Sequence, residues 1–174
     1  MFNYRQFYNI SNEIQLKHET EAQTSGLTSL DLNPKESHSL AVGSEDGSVS
    51  VWDIESKSKP EMTLNLISSG NDSVNTVKWN RQVLTILGSA SNSNIHVWDI
   101  RKATNSGPIM RVHDNNAASV WGTGPQSLMI CRSLVWSESN ATTLIVANSN
   151  DANPFLQIWD LRYATCPLNN LRGL

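Results

Sequence analysis

The chain has 174 residues, of which 39% are apolar and 17% charged, and its formal net charge is −3. This length fits about one domain, and an acidic balance disfavours the phosphate backbone of nucleic acids as the main ligand. Apolar stretches such as 83–87 and 144–147 have the length of strands, so no membrane-spanning helix is predicted. The 23 serines and 19 asparagines favour turns over helices, and the composition therefore indicates an all-β fold.

Three units repeat along the chain, and each contains a strand that closes with Trp-Asp. These strands are predicted over 48–54, 94–100 and 155–161. Small or polar side chains alternate there with large apolar ones, a period of two that predicts a strand with one buried face. The recurring pairs are Trp52-Asp53, Trp98-Asp99 and Trp159-Asp160. Their recurrence at one position of every unit predicts a structural role rather than a catalytic one.

Two strands precede each Trp-Asp strand and one follows it. The preceding strands are predicted over 29–33 and 39–44, over 76–80 and 83–89, and over 133–137 and 142–148. In the first unit, Asp46-Gly47 supplies the positive φ angles of a tight hairpin turn. The following strands are predicted over 62–67, 108–112 and 167–171, and a similar piece at 13–18 precedes the first unit.

Four strands per unit and a Trp-Asp ending on the third strand are typical of a WD-repeat β-propeller blade. We therefore predict three four-stranded blades, approximately 27–67, 74–112 and 131–171, plus one extra outer strand. Closed propellers have ~4 to 8 blades, so this would be an incomplete, open propeller. Its uncovered apolar faces and strand edges predict that the isolated chain self-associates or remains in the insoluble fraction.

The units are unevenly spaced, because 46 residues separate the first two Trp-Asp pairs and 61 separate the last two. The excess lies mostly in 114–130, whose composition predicts a loop insert. Long loops in compact domains are either functional or disordered. Trp121 within this insert either anchors the loop by packing or is an exposed recognition residue.

Residue patterns that carry chemistry are missing from the sequence. It has no Cys-x-x-Cys or His-x-x-x-His metal signature, no phosphate-binding glycine loop and no Gly-x-Ser-x-Gly nucleophile motif. Cys131 and Cys166 are expected to be free thiols of a reducing compartment. We therefore predict no catalytic, cofactor-binding or metal-ligating residue and a protein that is not an enzyme, with the partner-binding residues left unknown.

The last two units carry a more specific resemblance. The third reads Trp-Asp-Leu-Arg at 159–162 and continues into Ala-Thr-Cys-Pro-Leu at 164–168, while the second has Trp-Asp-Ile-Arg-Lys at 98–102. These blades resemble those in the propeller of the large outer-coat subunit of the COPII vesicle coat, a Sec-family protein. The first unit fits this family and almost any other WD-repeat protein equally well.

The resemblance implies a non-enzymatic scaffold of the COPII outer coat in endoplasmic reticulum to Golgi transport. It further implies other coat subunits as partners, neither nucleic acid nor small-molecule substrates, and peripheral membrane association through the inner coat. The expected location is cytoplasmic, on endoplasmic reticulum exit sites and COPII vesicles. The alternative is another WD-repeat adaptor, such as a ubiquitin-ligase substrate receptor or a chromatin scaffold, which only the fold supports.

Overall fold

The computed structural model describes residues 25–55, 60–65, 72–92, 94–102, 107–112, 131–148 and 155–172. These residues form twelve strands and one short 3-10 helix, arranged as three four-stranded antiparallel sheets. The prediction of an all-β, incomplete propeller is confirmed. The predicted outer strand at 13–18, the insert at 114–130 and Trp121 lie outside the described residues.

The strands follow one another in chain order within each sheet. The first sheet contains β1 (Leu27–Leu32), β2 (Ser39–Ser44), β3 (Ser48–Asp53) and β4 (Met62–Asn65). The second contains β5 (Val74–Trp79), β6 (Ile86–Ser91), β7 (Ile95–Asp99) and β8 (Met110–Val112). The third contains β9 (Cys131–Trp136), β10 (Thr143–Asn148), β11 (Phe155–Asp160) and β12 (Asn169–Arg172), with the 3-10 helix Leu161–Tyr163 after β11.

The pairing register repeats from sheet to sheet. A leucine of the second strand lies opposite the tryptophan of the Trp-Asp strand in all three sheets, and the pairs are Leu40 with Trp52, Leu87 with Trp98 and Leu144 with Trp159. Positions in the three sheets can therefore be compared one by one. In the first sheet, Gly47 has a φ of 84°, the left-handed conformation expected of the predicted hairpin turn.

The sheets stack mainly through their first two strands, because β5 packs on β1 and β2 while β9 packs on β5 and β6. The core between the first two sheets contains Ala41, Val49, Val51, Leu64, Val74, Val77, Trp79, Leu87 and Trp98. The core between the second and third contains Ala90, Ile95, Val97, Val112, Cys131, Leu134, Trp136, Leu144, Val146 and Trp159. At Gly43, a Cβ would lie 2.6 Å from the Cγ1 of Val74, so glycine permits the close approach of these sheets.

The predicted one-sided burial of the Trp-Asp strands was wrong for the first two sheets. All five residues of β7 are buried, as are the first five residues of β3. The second sheet has a neighbour on each face, which buries β7 on both sides. In β3, Val49 and Val51 face the second sheet, while Ser50 on the opposite face is bonded to the indole of Trp52.

The predicted strand at 83–89 starts three residues later than expected, at Ile86. Residues 83–85 belong to a turn in which the amide N–H of Ile86 donates to the carbonyl of Val83 at 3.2 Å. The side chain of Asn80 accepts a hydrogen bond from the amide of Val83. Such side-chain bonds to the backbone compete with strand pairing and delay the strand.

Candidate functional site

The tryptophans of the three Trp-Asp pairs are buried side chains whose indole hydrogen bonds stay within their own sheets. Trp52, Trp98 and Trp159 are 3%, 1% and 0% exposed. Each indole N–H donates to a side chain of the same sheet, and the acceptors are Ser50 Oγ, Ser89 Oγ and Gln157 Oε1, at 2.9, 2.8 and 3.3 Å. A buried indole therefore contributes a large apolar surface without leaving its donor unpaired.

The aspartates of the pairs hold the turns that follow the Trp-Asp strands. In Asp53, Asp99 and Asp160, Oδ1 accepts a hydrogen bond from the backbone amide two residues further on. The donors are Glu55, Arg101 and Arg162, at 2.9, 3.1 and 3.0 Å. This bond is an Asx-type turn, which stabilises the point where the chain leaves the sheet.

In the second and third sheets an arginine reinforces this turn. Nη2 of Arg101 lies 2.7 Å from Oδ2 of Asp99, and Arg162 pairs in the same way with Asp160. The hydrogen bonds from these guanidinium groups hold the pKa of each carboxyl below its usual range. Both oxygens of each carboxylate are engaged, so these residues are poorly suited to act as a base or nucleophile.

Asp46 lies in the hairpin turn of the first sheet, as the sequence indicates. Its Oδ1 accepts a hydrogen bond from the amide of Ser48 at 2.9 Å, and its own amide donates to Ser25 Oγ at 2.9 Å. Asp46 and the first Trp-Asp pair belong to the first sheet, whereas the other two pairs belong to the second and third sheets. The structure therefore distributes the predicted motif residues along the stack and does not bring them together into one site.

Contacts between sheets include two repeated polar links that were not identified from the sequence. The first uses the tryptophan at the end of the first strand. Nε1 of Trp79 donates to the carbonyl of Asp31 at 3.1 Å, and Nε1 of Trp136 donates to the carbonyl of Lys78 at 2.9 Å. Asp31 also accepts a hydrogen bond through Oδ2 from the amide of Trp79 at 2.8 Å. The first strands β5 and β9 are thereby each bonded to the first strand of the preceding sheet.

The second link uses an asparagine directly after the first strand. Nδ2 of Asn33 donates to the carbonyl of Leu84 at 2.9 Å, and Nδ2 of Asn80 donates to the carbonyl of Ala141 at 2.8 Å. Both asparagines are buried, with 3% and 1% of their surface exposed. In the third sheet the same position is occupied by Ser137, whose Oγ accepts amide hydrogen bonds within its own turn. We refer to the two Asn-to-carbonyl bonds as the inter-sheet latches.

The ionisable groups of the described residues do not assemble a reactive site. His96 is 2% exposed in β7, and burial followed by the charge of Arg111 lowers the pKa of His96 to about 4, although Asp72 acts in the opposite direction. Both cysteines are free; Cys131 is buried, which raises its pKa to about 12, and Cys166 is exposed. No group of three or more His, Cys, Asp or Glu residues suited to hold a metal occurs in the described part of the chain. No helix among these residues is long and apolar enough to cross a membrane.

Comparisons with known proteins agree with the repeated geometry. The family model of the WD domain, G-beta repeat, matches residues 14–53, which include the first Trp-Asp strand. Two solved structures, described as "COPII on membranes, outer coat vertex" and "The structure of the COPII coat assembled on membranes", superpose with a TM-score of 0.69 and 25% identity. They cover 87% of this chain, which corresponds to 39% and 22% of theirs. The chain is thus a segment of a WD-repeat β-propeller.

Relatives define the family more narrowly. The protein transport protein Sec31A of Danio rerio is 34% identical over 161 residues, or 90% of this chain, and that of Homo sapiens is 32% identical over the same length. SEC31 of Dictyostelium discoideum is 34% identical over 148 residues. The chain is a homologue of the Sec31 protein transport proteins. It spans about 12% of the length of the two Sec31A relatives and 10% of the third.

Proposed function

We propose that this chain is a non-enzymatic scaffold segment of the COPII outer coat and acts through protein–protein contacts of its propeller. The observation that carries the proposal is the match to Sec31A over 90% of the chain, together with the superposition on an outer-coat vertex. The chain spans only about 12% of the length of the Sec31A relatives. The coat role of the whole protein is therefore inferred from those relatives. Its partners would be other coat subunits.

The chemistry of the described residues supports a scaffold. The buried carboxylates of Asp99 and Asp160 are held by arginines and backbone amides. Exposed side chains of the described residues are available for contacts. Tyr163, for example, is 67% exposed in the 3-10 helix and lies with its ring centroid 5.8 Å from the guanidinium carbon of Arg162. Exposed tyrosine and arginine are residue types enriched at protein interfaces.

In cells, this role places the protein on the cytoplasmic side of endoplasmic reticulum exit sites and COPII vesicles. Membrane association would be peripheral and indirect, through the inner coat. Neither nucleic acid nor a small-molecule substrate has a place in this scheme. In vesicle transport from the endoplasmic reticulum to the Golgi, the segment would contribute only as a structural part of the coat.

Localisation of the tagged full-length protein tests the proposal. We expect it to collect at endoplasmic reticulum exit sites together with the inner coat. Replacing residues 114–130 by a short glycine–serine linker, or Tyr163→Ala, should leave abundance unchanged and weaken recruitment. The matched control is Trp98→Ala, which should lower both abundance and recruitment because the protein misfolds. Nuclear or ubiquitin-ligase-associated localisation of the unaltered protein would contradict the proposal, as would turnover of a substrate by the purified protein.

A further inference from the structure

A small apolar notch lies where the last strands of the second and third sheets meet. Met110 of β8 and Leu161, directly after β11, are partly buried against the core between these sheets. The amide of Leu168 donates to the carbonyl of Ile158 at 2.7 Å, which extends the pairing of β11 with β12 and places Leu168 opposite Trp159. Side chains directly opposite each other share one face of a sheet, and Trp159 belongs to the same core. Leu168 therefore lies on the side of this core, yet it is 62% exposed.

The junction between the first and second sheets repeats this arrangement. Met62 and Ile100 are partly buried against its core. Ile109 donates its amide to the carbonyl of Val97, which places it opposite Trp98, and it is 50% exposed. Both junctions thus combine a methionine, the residue after a Trp-Asp pair and an exposed Ile or Leu. A scattered exposed leucine needs no explanation, but an apolar surface rebuilt at equivalent positions does.

Basic residues flank the notch between the second and third sheets. The sequence segments 100–112 and 161–172 contain five basic residues and no Asp or Glu, although the whole chain has a formal net charge of −3. The five are Arg101, Lys102, Arg111, Arg162 and Arg172. Two of them are the arginines that pair with the aspartates of the Trp-Asp motifs, so three positive charges remain on the two segments. The notch therefore combines apolar surface with a local excess of positive charge.

We propose that this notch, formed by Met110, Leu161 and Leu168, binds an acidic segment of a partner protein through an apolar side chain of that segment. Charge complementarity selects such a partner, because unlike charges steer an encounter and like charges oppose it. The apolar side chain would cover Leu168, and the carboxylates would lie near Arg111 and Lys102, both of which are exposed. The proposal deepens the coat role and rests on it for the origin of the partner, which would be another coat subunit.

Fluorescence anisotropy of a labelled synthetic peptide tests the proposal on the complete chain. The probe is Glu-Asp-Glu-Leu-Phe-Asp-Glu-Asp, and we expect it to bind with an affinity that falls as the ionic strength rises. Replacing its Leu-Phe pair by two serines removes the apolar anchor and should weaken binding about tenfold. A peptide in which every acidic residue is replaced by lysine should not bind.

Two variants of the chain locate the binding surface. Leu168→Asp should weaken binding of the acidic peptide about tenfold, because it removes apolar surface and adds a like charge. Arg111→Glu should weaken binding and reduce its dependence on ionic strength. The matched controls are Val135→Asp and Arg132→Glu in the first strand β9, where Val135 is 52% exposed and Arg132 is exposed. Both controls should bind like the unaltered chain, and all four variants should retain its far-ultraviolet circular dichroism.

Three outcomes would overturn the proposal. The first is an unaltered chain that does not bind the acidic peptide, and the second is equal binding of the lysine peptide. The third is a loss of affinity in the β9 controls as large as in Leu168→Asp and Arg111→Glu. Vesicles containing phosphatidylserine are tested alongside, and a chain that binds them but not the peptide would have a membrane-binding surface instead. Recruitment of the full-length protein in cells is a separate measurement, so failure of the notch and failure of the coat role are distinguishable.

Discussion

Replacing Asn80 separates the contribution of an inter-sheet latch from that of the turn in which it lies. Asn80 is 1% exposed and its side chain makes three hydrogen bonds. Its Oδ1 accepts from the amides of Gln82 and Val83, both at 2.9 Å, and its Nδ2 donates to the carbonyl of Ala141 in the next sheet at 2.8 Å. A serine can make the first two bonds and not the third, as Ser137 does at the equivalent position of the third sheet.

The expected losses follow from these bonds. Asn80→Ser removes the latch alone, and the loss of one hydrogen bond should lower the free energy of unfolding by about 1 kcal/mol. Asn80→Ala removes all three bonds, so the loss should be about 2 to 3 kcal/mol. Asn169→Ser makes the same chemical change at an exposed position of β12 and should stay within about 0.5 kcal/mol of the unaltered chain.

Urea unfolding at a concentration where the chain is monomeric measures these differences. With a slope of about 2 kcal/mol per molar urea, Asn80→Ser should shift the midpoint by roughly 0.5 M and Asn80→Ala by roughly 1 to 1.5 M. A midpoint for Asn80→Ser equal to that of the unaltered chain would show that the latch contributes nothing. Equal shifts for serine and alanine would refute the separation of latch and turn.

Three other predictions concern buried side chains. Trp98→Ala should lower the free energy of unfolding by about 3 to 5 kcal/mol, measured by urea unfolding, because it removes a ring buried between sheets; a loss below about 1 kcal/mol would contradict that burial. Because the pKa of His96 is about 4 in the folded chain, below the ~6.5 of an unfolded chain, stability should fall as the pH drops from 6.5 to 4. His96→Gln, which introduces the residue of the third sheet at this position, should flatten that part of the stability profile, and an unchanged profile would refute the assignment. A thiol-specific reagent should modify Cys166 in the folded chain and Cys131 only after unfolding, since burial raises the pKa of Cys131 to about 12; equal rates would contradict this.

The strands could be predicted from the sequence because their signals are local. Alternating residues and the Asp46-Gly47 turn depend on neighbours a few positions away, and the Trp-Asp pairs marked equivalent strands. The apolar residues that follow Val83 predict a strand that begins there. The competing signal was the side chain of Asn80, which bonds to the backbone of the turn and delays the strand to Ile86.

The contacts between sheets could not be predicted in the same way. The partner of Nδ2 of Asn33 is a backbone carbonyl 51 residues away, and every residue has a carbonyl, so no residue type marks the partner. Likewise, Trp79 and Trp136 fall within the strands predicted over 76–80 and 133–137, while their indole bonds across the stack follow only from how the sheets pack. A useful signal was nevertheless present, because the asparagines follow the first strand at the same distance in two units.

Exchange of the segment into a relative tests the coat role most directly. The matching segment of a Sec31A would be replaced by this chain, and assembly of the outer coat on membranes would be measured with the remaining COPII components. We expect the chimera to assemble a coat, and the same chimera with Trp98→Ala to fail because the propeller does not fold. A chimera that is soluble and folded, with the circular dichroism of a β-propeller, and still cannot assemble would contradict the assignment of this chain to the COPII outer coat.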